Sequence, residues 1–265
     1  MNFELLKTLC LLNGTSGDEK NVRDFIISKL PDDCDYKVDP IGNLIVNKKG
    51  ENTPKNKVAL FAHMDEVGFI VTYITDDGFV YVANVGGIDN SALFGKKITV
   101  NGHVGVVGGK AIHQCSSDEA KKIPNISDMC VDFGFENKEI AEKHLSLGDF
   151  GYFKSDYVEF GKDMIKSKAL DDRLGCAIML ELLHEKSKFN YTCVFTVQEE
   201  IGTRGATVSA YTVKPDYAIV IETTTASDIP DTPENKKVCK VGKGAVVSFM
   251  DRGTIYNKDL YKKAR

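Results

Sequence analysis

The sequence has no long apolar segment. Its N-terminus, MNFELLKTLCLLNG, lacks the form of a signal peptide, because Glu4 and Lys7 interrupt the apolar residues and no run is long enough for a hydrophobic region. No other stretch approaches the apolar length of a transmembrane helix. We therefore expect a soluble protein.

Paired cysteine motifs are also missing. The chain has seven cysteines and no CxxC; they are Cys10, Cys34, Cys115, Cys130, Cys176, Cys193 and Cys239. An odd number of scattered cysteines argues against a disulfide framework and against a thiolate zinc site. A reducing compartment, the cytoplasm, fits this pattern best.

Basic residues are not in excess, since 34 Lys and Arg face 38 Asp and Glu and the net charge is −4. This balance argues against nucleic acid and anionic membranes as partners, because both call for basic patches. A GxSxG nucleophile elbow, a P-loop and a GxGxxG after a strand are absent as well.

What remains is a globular composition, with 42% hydrophobic and 27% charged residues over 265 positions, enough for one large domain or two smaller ones. Apolar periodicity predicts α/β organisation at both ends of the chain. Helices are expected over 3–12, from about Glu19 to Leu30, and over 172–186, 204–212 and 257–265; strands are expected near 35–39, 43–47, 58–61, 191–197, 217–221 and 244–250.

Two local patterns support particular helices. Ser16 and Glu19 form an S-x-x-E capping box before the second helix. In the helix over 172–186, Leu174, Ile178 and Leu182 lie on one predicted apolar stripe.

The middle of the chain, from Gly68 to about Phe160, has a different texture. Glycines are dense, and two hairpin signals, Asp76-Asp77-Gly78 and Asn101-Gly102, separate apolar strand patterns. This region is predicted to be a β-rich module such as a small barrel, inserted into the α/β domain.

Polar residues gather where the predicted α/β strands end. His63 and Asp65 follow the strand at 58–61, Glu199 and Glu200 follow the strand at 191–197, and Glu222 follows the strand at 217–221. Asp171 and Asp172 precede the long helix. Because ligands bind beyond the carboxyl ends of strands in open α/β sheets, these side chains are expected at one rim. So many carboxylates need cations, which indicates a metal site, with two ions as the simplest case.

Their spacing suggests individual roles. Asp65 lies two residues after His63, so it can accept the N–H of the His63 ring nitrogen that does not bind metal. One of Glu199 and Glu200 can ligate while the other acts as general base. Asp171 is placed to bridge two ions.

Each feature also has a simpler interpretation. Lone H-x-D patterns and paired glutamates are mostly surface polar residues, and Asp171-Asp172 can serve only to cap a helix. The two glutamates could instead be the paired acids of a glycosidase. His103, His113, His144 and His184 are expected to have structural or surface roles. The metal-site interpretation is favoured because all of these residues lie together at the ends of the predicted elements.

Four stretches resemble one family: AHMDEVGFIV (62–71), KALDDRLGCA (168–177), VQEEIGTRGA (197–206) and IETTTASDIPDTP (221–233). Together they resemble the tetrahedral, or glutamyl and deblocking, aminopeptidases (metallopeptidase family forty-two), some of which have been called endoglucanases. The resemblance implies a zinc-exopeptidase-like three-layer α/β/α domain, residues 1–64 and 165–265, and a β-rich dimerisation domain, residues 65–164.

The resemblance also implies residue roles. His63, Asp171 and Glu222 would hold one metal ion, and Asp171 and Glu200 the second. Glu199 would be the general acid/base, and Asp65 the partner of His63. The family usually has Asp where this chain has Glu222. Further implications are two zinc or cobalt ions, peptide substrates, and a homodimer that can assemble into a dodecamer of six dimers.

The sequence departs from the family in a second and more serious respect. Relatives continue for several dozen residues past the equivalent of Arg265, with a Gly-Thr-Asp loop and a final histidine ligand. The expectation is therefore a weak second metal site and impaired activity. An inactive relative that serves in assembly or binding is the other alternative, beside the glycosidase.

Overall fold

The computed structural model describes residues 1–265. The α-helices are α1 (Phe3–Leu11), α2 (Lys20–Ser28), α3 (Lys138–Ala141), α4 (Leu170–His184), α5 (Arg204–Val213) and α6 (Lys258–Ala264). The strands are β1 (Cys34–Val38), β2 (Leu44–Lys48), β3 (Val58–His63), β4 (Gly68–Ile74), β5 (Val80–Val85), β6 (Lys97–Val100), β7 (His103–Gly109), β8 (Met129–Asp132), β9 (Phe150–Phe153), β10 (Val158–Phe160), β11 (Met164–Lys166), β12 (Tyr191–Thr196) and β13 (Tyr217–Val220). The chain divides into two compact units, Met1–Thr223 and Thr224–Arg265.

A five-stranded sheet in the order β1-β2-β12-β3-β13 lies in the first unit. Strands β12 and β13 both pair with β3 in parallel, whereas β2 pairs in the antiparallel direction with β1 on one side and with β12 on the other. Because three strands run in the same direction, the carboxyl ends of β3, β12 and β13 meet at one edge of the sheet. This arrangement confirms the prediction that several strand ends share a rim.

Alternate residues of these strands pack on opposite faces of the sheet, as the pleat requires. On β12, Cys193 and Phe195 join a core that also contains residues of α1, α2 and α4. Val194, between them, joins a smaller core in which Val213 of α5 also packs. Helices therefore cover both faces, and the predicted three-layer α/β/α fold class is confirmed.

The β-rich stretch forms a closed barrel with strand order β4-β5-β8-β7-β6-β9. Its interior is filled by apolar side chains that include Phe69, Ile98, Val100, Met129 and Val131, all of them buried. Both hairpin signals lie at turns, and the Asn101-Gly102 turn takes the positive φ values, 48° and 83°, that such dipeptides tolerate. Closure leaves the barrel without free edges, which explains how so many short strands can be stable together.

The long helix α4 differs from its prediction in detail. It begins at Leu170, and the expected stripe is wrong, because Leu182 is 40% exposed. The face that packs in the core carries Cys176, Leu180 and Leu183. More than half of the helix is buried, including the polar Asp172 and Arg173, so its apolar residues do not mark a single stripe.

The predicted capping box is also wrong. The N-cap of α2 is Glu19, and it makes no side-chain capping bond. The Ser16 hydroxyl donates instead to Asp65, and the Glu19 carboxylate accepts from the amides of Gly17 and Gln198. Hydrogen bonds to residues distant in the sequence have replaced the expected capping bonds between Ser16 and Glu19.

The second unit, Thr224–Arg265, contains α6 and a short 3₁₀ turn over Glu234–Lys236. The strand predicted over 244–250 is not formed; this segment is exposed, and its one ladder contact is an isolated bridge between Met250 and Ile255. Residues 244–250 have no neighbouring strand with which to form the hydrogen bonds of a β-sheet. No helix of the chain combines the length and apolar character needed to cross a membrane.

Candidate metal centre

Four segments deliver the predicted residues to the rim of the sheet. His63 is the last residue of β3, Glu199 and Glu200 follow β12, and Glu222 follows β13. Asp171 lies in the first turn of α4, where its dihedral angles are not helical and its peptide bond to Asp172 is cis. The rim position of these residues follows from the parallel pairing of the three strands.

The His63 ring lies at the centre of the group. Its Nε2 is 3.1 Å from Asp171 Oδ1, 3.7 Å from Glu222 Oε2 and 4.0 Å from Glu199 Oε2. The ring itself is 2% exposed, whereas the side chains of Asp171, Glu199 and Glu222 are 60%, 35% and 37% exposed. The structure thus brings these residues together around a space that is open to solvent.

The other ring nitrogen of His63 faces Asp65. His63 Nδ1 lies 3.1 Å from the main-chain carbonyl oxygen of Asp65 and 3.4 Å from its Oδ1. An N–H on Nδ1 therefore has an acceptor in Asp65, and the shorter of the two contacts is to the carbonyl. With that tautomer, the lone pair of Nε2 points into the group of carboxylates.

The Nε2 lone pair of His63 and the Asp171 carboxylate, 3.1 Å apart, would repel each other unless a proton or a metal cation lies between them. Burial lowers the pKa of His63, but the carboxylates of Asp171, Asp65 and Glu222 outweigh burial and raise it to about 11. Burial, with neighbouring carboxylates, raises the pKa of Glu200 to about 7. Burial and the charge of Asp172 likewise raise the pKa of Glu222. An imidazole with several oxygen donors that resist ionising together is a donor set suited to divalent cations.

Asp172 is a second aspartate within reach of this group. Ligand atoms of His63, Asp172 and Glu222 all lie within 4.8 Å of one another. The Asp172 side chain is fully buried, however, and its oxygens accept from the amides of His63 (3.3 Å) and Gly175 (3.0 Å). Because main-chain amides already occupy the Asp172 oxygens, whereas the Asp171 carboxylate faces Nε2 directly, Asp171 is the better candidate ligand and Asp172 a fixed support.

The Asp65 carboxylate has a role that the sequence did not suggest. Its Oδ1 accepts from the amide of Glu199 (2.9 Å), and its Oδ2 accepts from the amide of Glu200 (3.0 Å) and from the Ser16 hydroxyl (2.6 Å). Asp65 thus contacts both His63 and the turn that carries the two glutamates. Ser16 lies some fifty residues earlier in the chain, and only the fold reveals that it belongs here.

Comparisons with known proteins indicate one family. Residues 42–265 match the family described as M42 glutamyl aminopeptidase. A lysyl aminopeptidase from Pyrococcus furiosus is 33% identical over 271 residues, which cover 98% of this chain and 76% of that protein.

Among solved structures, an aminopeptidase from the archaeon Desulfurococcus kamchatkensis is similar with a TM-score of 0.91 at 33% identity, covering 98% of this chain and 74% of that one. The Pyrococcus horikoshii TET1 peptidase, which can assemble into a tetrahedron or a large octahedral shell, is similar with a TM-score of 0.84 at 34% identity, covering 98% of this chain and 79% of that one.

Proposed function

The chain belongs to the M42 glutamyl aminopeptidase family, and we propose that it removes N-terminal residues from peptides at a two-metal site built on the strand ends. As a member it is a metal-dependent peptidase, a hydrolase that acts on peptide bonds. The observation that carries the proposal is the position of His63 Nε2, which lies within 4.0 Å of carboxylates from three different segments.

We assign the ligands from these contacts together with the resemblance of the chain to the family. His63, Asp171 and Glu222 would hold one ion, and Asp171 and Glu200 would hold the second, with zinc or cobalt as the metals suited to imidazole and carboxylate donors. The first site has three ligands in this assignment and the second has two. Ions in such a pair polarise a carbonyl group and make water more acidic.

Glu199 is proposed as the general acid/base. Its carboxylate lies at the open side of the group, 4.0 Å from His63 Nε2, and is 35% exposed, so it can contact a water molecule at the site. Its main-chain amide is fixed to Asp65. Glu199 would take a proton from that water and pass it to the leaving amine.

The surrounding carboxylates also account for the preference for chain ends. A free substrate N-terminus is a cation and would bind beside carboxylates such as that of Glu222. An internal segment of a peptide has no such charge. The glycosidase alternative for Glu199 and Glu200 is not supported, because the family and the named relatives are peptidases.

For the whole chain we propose a homodimer formed through the β-rich domain, residues 65–164, in the cytoplasm. The shells described for the Pyrococcus horikoshii TET1 peptidase support a higher assembly, such as a dodecamer of six dimers. The remaining part, residues 1–64 and 165–265, would be the catalytic domain. All seven cysteines are free, which fits a reducing compartment.

Hydrolysis of aminoacyl-nitroanilides tests the proposal. Activity should disappear when a chelator removes the metal and return when cobalt or zinc is added. The matched substrate is a peptide with an acetylated N-terminus, which should be cleaved far more slowly than the free peptide. Equal rates on the two peptides would contradict the aminopeptidase assignment.

A further inference from the structure

The segment between α1 and α2, residues 14–19, runs past the candidate metal centre and contacts it through side chains. Ser16 and Glu19 are 3% and 4% exposed, which is unusual for polar side chains in a connecting loop. Buried polar groups are costly unless they are hydrogen-bonded. Their partners therefore indicate what this segment does.

The partner of Glu19 lies in the turn that carries the two glutamates, and the partner of Ser16, Asp65, accepts hydrogen bonds from the same turn. The amide of Gln198 donates to Glu19 Oε1 (3.0 Å), and the amides of Glu199 and Glu200 donate to Asp65 (2.9 and 3.0 Å). Two buried carboxylates thus hold three successive amides. Gln198 has a φ of 55°, an unfavourable conformation for a residue other than glycine, so the turn depends on these bonds to keep its shape.

Ser16 fixes the carboxylate that holds two of these amides. Its hydroxyl donates to Asp65 Oδ2 at 2.6 Å, the same oxygen that accepts from the amide of Glu200. A hydroxyl donating to a carboxylate is a short, charge-assisted bond. The rotation of the Asp65 side chain, and with it the position of the Glu199 and Glu200 amides, is therefore set in part by Ser16.

The segment is anchored on its other side to the barrel. The Thr15 hydroxyl donates to the carbonyl of Gly151 (3.1 Å), and the Tyr152 hydroxyl donates to the carboxylate of Asp18. Gly68, the first residue of β4, lies so close that an added Cβ would be 2.0 Å from the Thr15 hydroxyl oxygen. A segment held on two sides can act as a rigid support.

We infer that residues 14–19 position the catalytic turn, with Ser16, through Asp65, and Glu19 as positioning residues for Glu199 and Glu200. The inference rests on the proposed function, because it concerns the residues assigned there as general base and metal ligand. It adds two residues that do not touch the substrate or the metal. Removing an outer contact of this kind typically costs about 10- to 100-fold in metal affinity or activity.

Three variants of the full chain test the inference. Ser16→Ala removes the hydroxyl donor, and Ser16→Thr keeps it. Ser209→Ala is the matched control: Ser209 is equally buried, but its hydroxyl donates to the carbonyl of Gly205 within α5 (2.8 Å). We expect Ser16→Ala to lower kcat about 10- to 100-fold with little change in KM. Ser16→Thr should recover most of kcat, and Ser209→Ala should leave it unchanged.

A measurement without metal separates this inference from the proposed function. In the metal-free protein, hydrogen exchange of the Glu199 and Glu200 amides should be faster in Ser16→Ala than in the wild type, while amides inside β12 exchange at unchanged rates. If the exchange rates of the turn and kcat are the same in Ser16→Ala and wild type, the inference is wrong even in an active enzyme. If the wild type shows no metal-dependent activity, the proposed function fails, and the exchange rates still decide whether Ser16 holds the turn.

Discussion

The two glutamates after β12 are neighbours in the sequence but have different surroundings. Glu200 is half-buried among carboxylates, and its pKa is raised to about 7, chiefly by burial. Glu199 reaches the open side of the group, where its Oε2 is 4.0 Å from His63 Nε2. A carboxylate whose ionisation is opposed by burial gains most from a cation, whereas Glu199 lies where it can exchange protons with a water molecule at the site. The difference supports the assignment of Glu200 as ligand and Glu199 as general base.

Substitution at Glu199 and Asp171 separates the two roles. Glu199→Gln is expected to keep nearly all bound metal and to lower kcat by about 10²- to 10⁴-fold, the usual contribution of a general base. Asp171→Asn is expected to lose metal as well, because Asp171 is assigned to both ions. Metal content per chain and kcat, measured on the same preparations, check both outcomes. Loss of metal from Glu199→Gln with retention in Glu200→Gln would mean that the two roles are exchanged.

Helix α4 is tied to the rest of the fold by a buried arginine. The Arg173 guanidinium is fully buried and donates to the main-chain carbonyls of Leu9, Leu12 and Met64. It also lies 3.7 Å from Glu66 Oε1. One side chain therefore connects α4 with the end of α1 and with the loop that follows His63.

Replacing this arginine should be costly. We expect Arg173→Met to lower the free energy of unfolding by about 3–5 kcal/mol, because it leaves buried carbonyls and the Glu66 carboxylate with fewer donors. Urea denaturation measures the change. Arg252→Met, at an exposed position, is the matched control and should have little effect. A loss below about 1 kcal/mol for Arg173→Met would show that other donors replace the guanidinium.

The edge hairpin β1–β2 offers a pH-dependent test. Lys48, which is 4% exposed, contacts both oxygens of Asp33 (2.8 and 2.6 Å), and this hydrogen bonding lowers the pKa of Asp33 below its usual value. A group with a lowered folded-state pKa stabilises the fold above its unfolded pKa, near 3.8, and loses that contribution as the pH falls through the folded pKa.

Accordingly, Asp33→Asn should melt at a lower temperature than the wild type at pH 6, and the difference should shrink as the pH approaches 2. Thermal melting curves across this range provide the measurement. Asp35→Asn is a suitable control, because both side chains of the Asp35–Lys49 ion pair are exposed to solvent, where such a pair contributes little. A melting difference that does not change with pH would rule out the ion pair as its cause.

At the level of elements, the sequence was informative where the signal is periodic and less so where long-range partners decide. The strands before His63 and Glu199 were predictable because apolar runs mark them. The capping box was not, because Ser16 and Glu19 have the right local spacing but satisfy their bonds with Asp65 and the amide of Gln198. Burial of these polar side chains by distant segments leaves no periodic trace in the sequence.

For the whole first unit, strand direction decided the outcome. Parallel pairing of β12 and β13 with β3 is what brings His63, Glu200 and Glu222 to one edge, and a βαβ pattern allows this to be anticipated. The side-chain distances around Nε2 could not be anticipated, because they depend on how α4 packs against β3. The same limit applies to the support that residues 14–19 receive from the barrel.

The barrel also presents apolar side chains to its outer surface. Val104 and Val106 lie two residues apart on β7, so they point to the same side, and they are 47% and 43% exposed. Exposed apolar side chains on the outer face of a sheet are candidate contacts for another chain. They are therefore the first residues to test for the proposed dimer.

We expect the wild type to sediment as an assembly with an even number of chains, and the double variant Val104→Lys, Val106→Lys to shift it toward monomer. Each unpaired ammonium group buried in such an interface would cost several kcal/mol, enough to dissociate a moderately stable dimer. Val208→Lys, at a similarly exposed apolar position on α5, is the control and should leave the assembly unchanged. Sedimentation velocity over a range of chain concentrations distinguishes these outcomes. A wild type that remains monomeric throughout, or a Val208→Lys variant that dissociates as readily as the double variant, would contradict dimerisation through this face of the barrel.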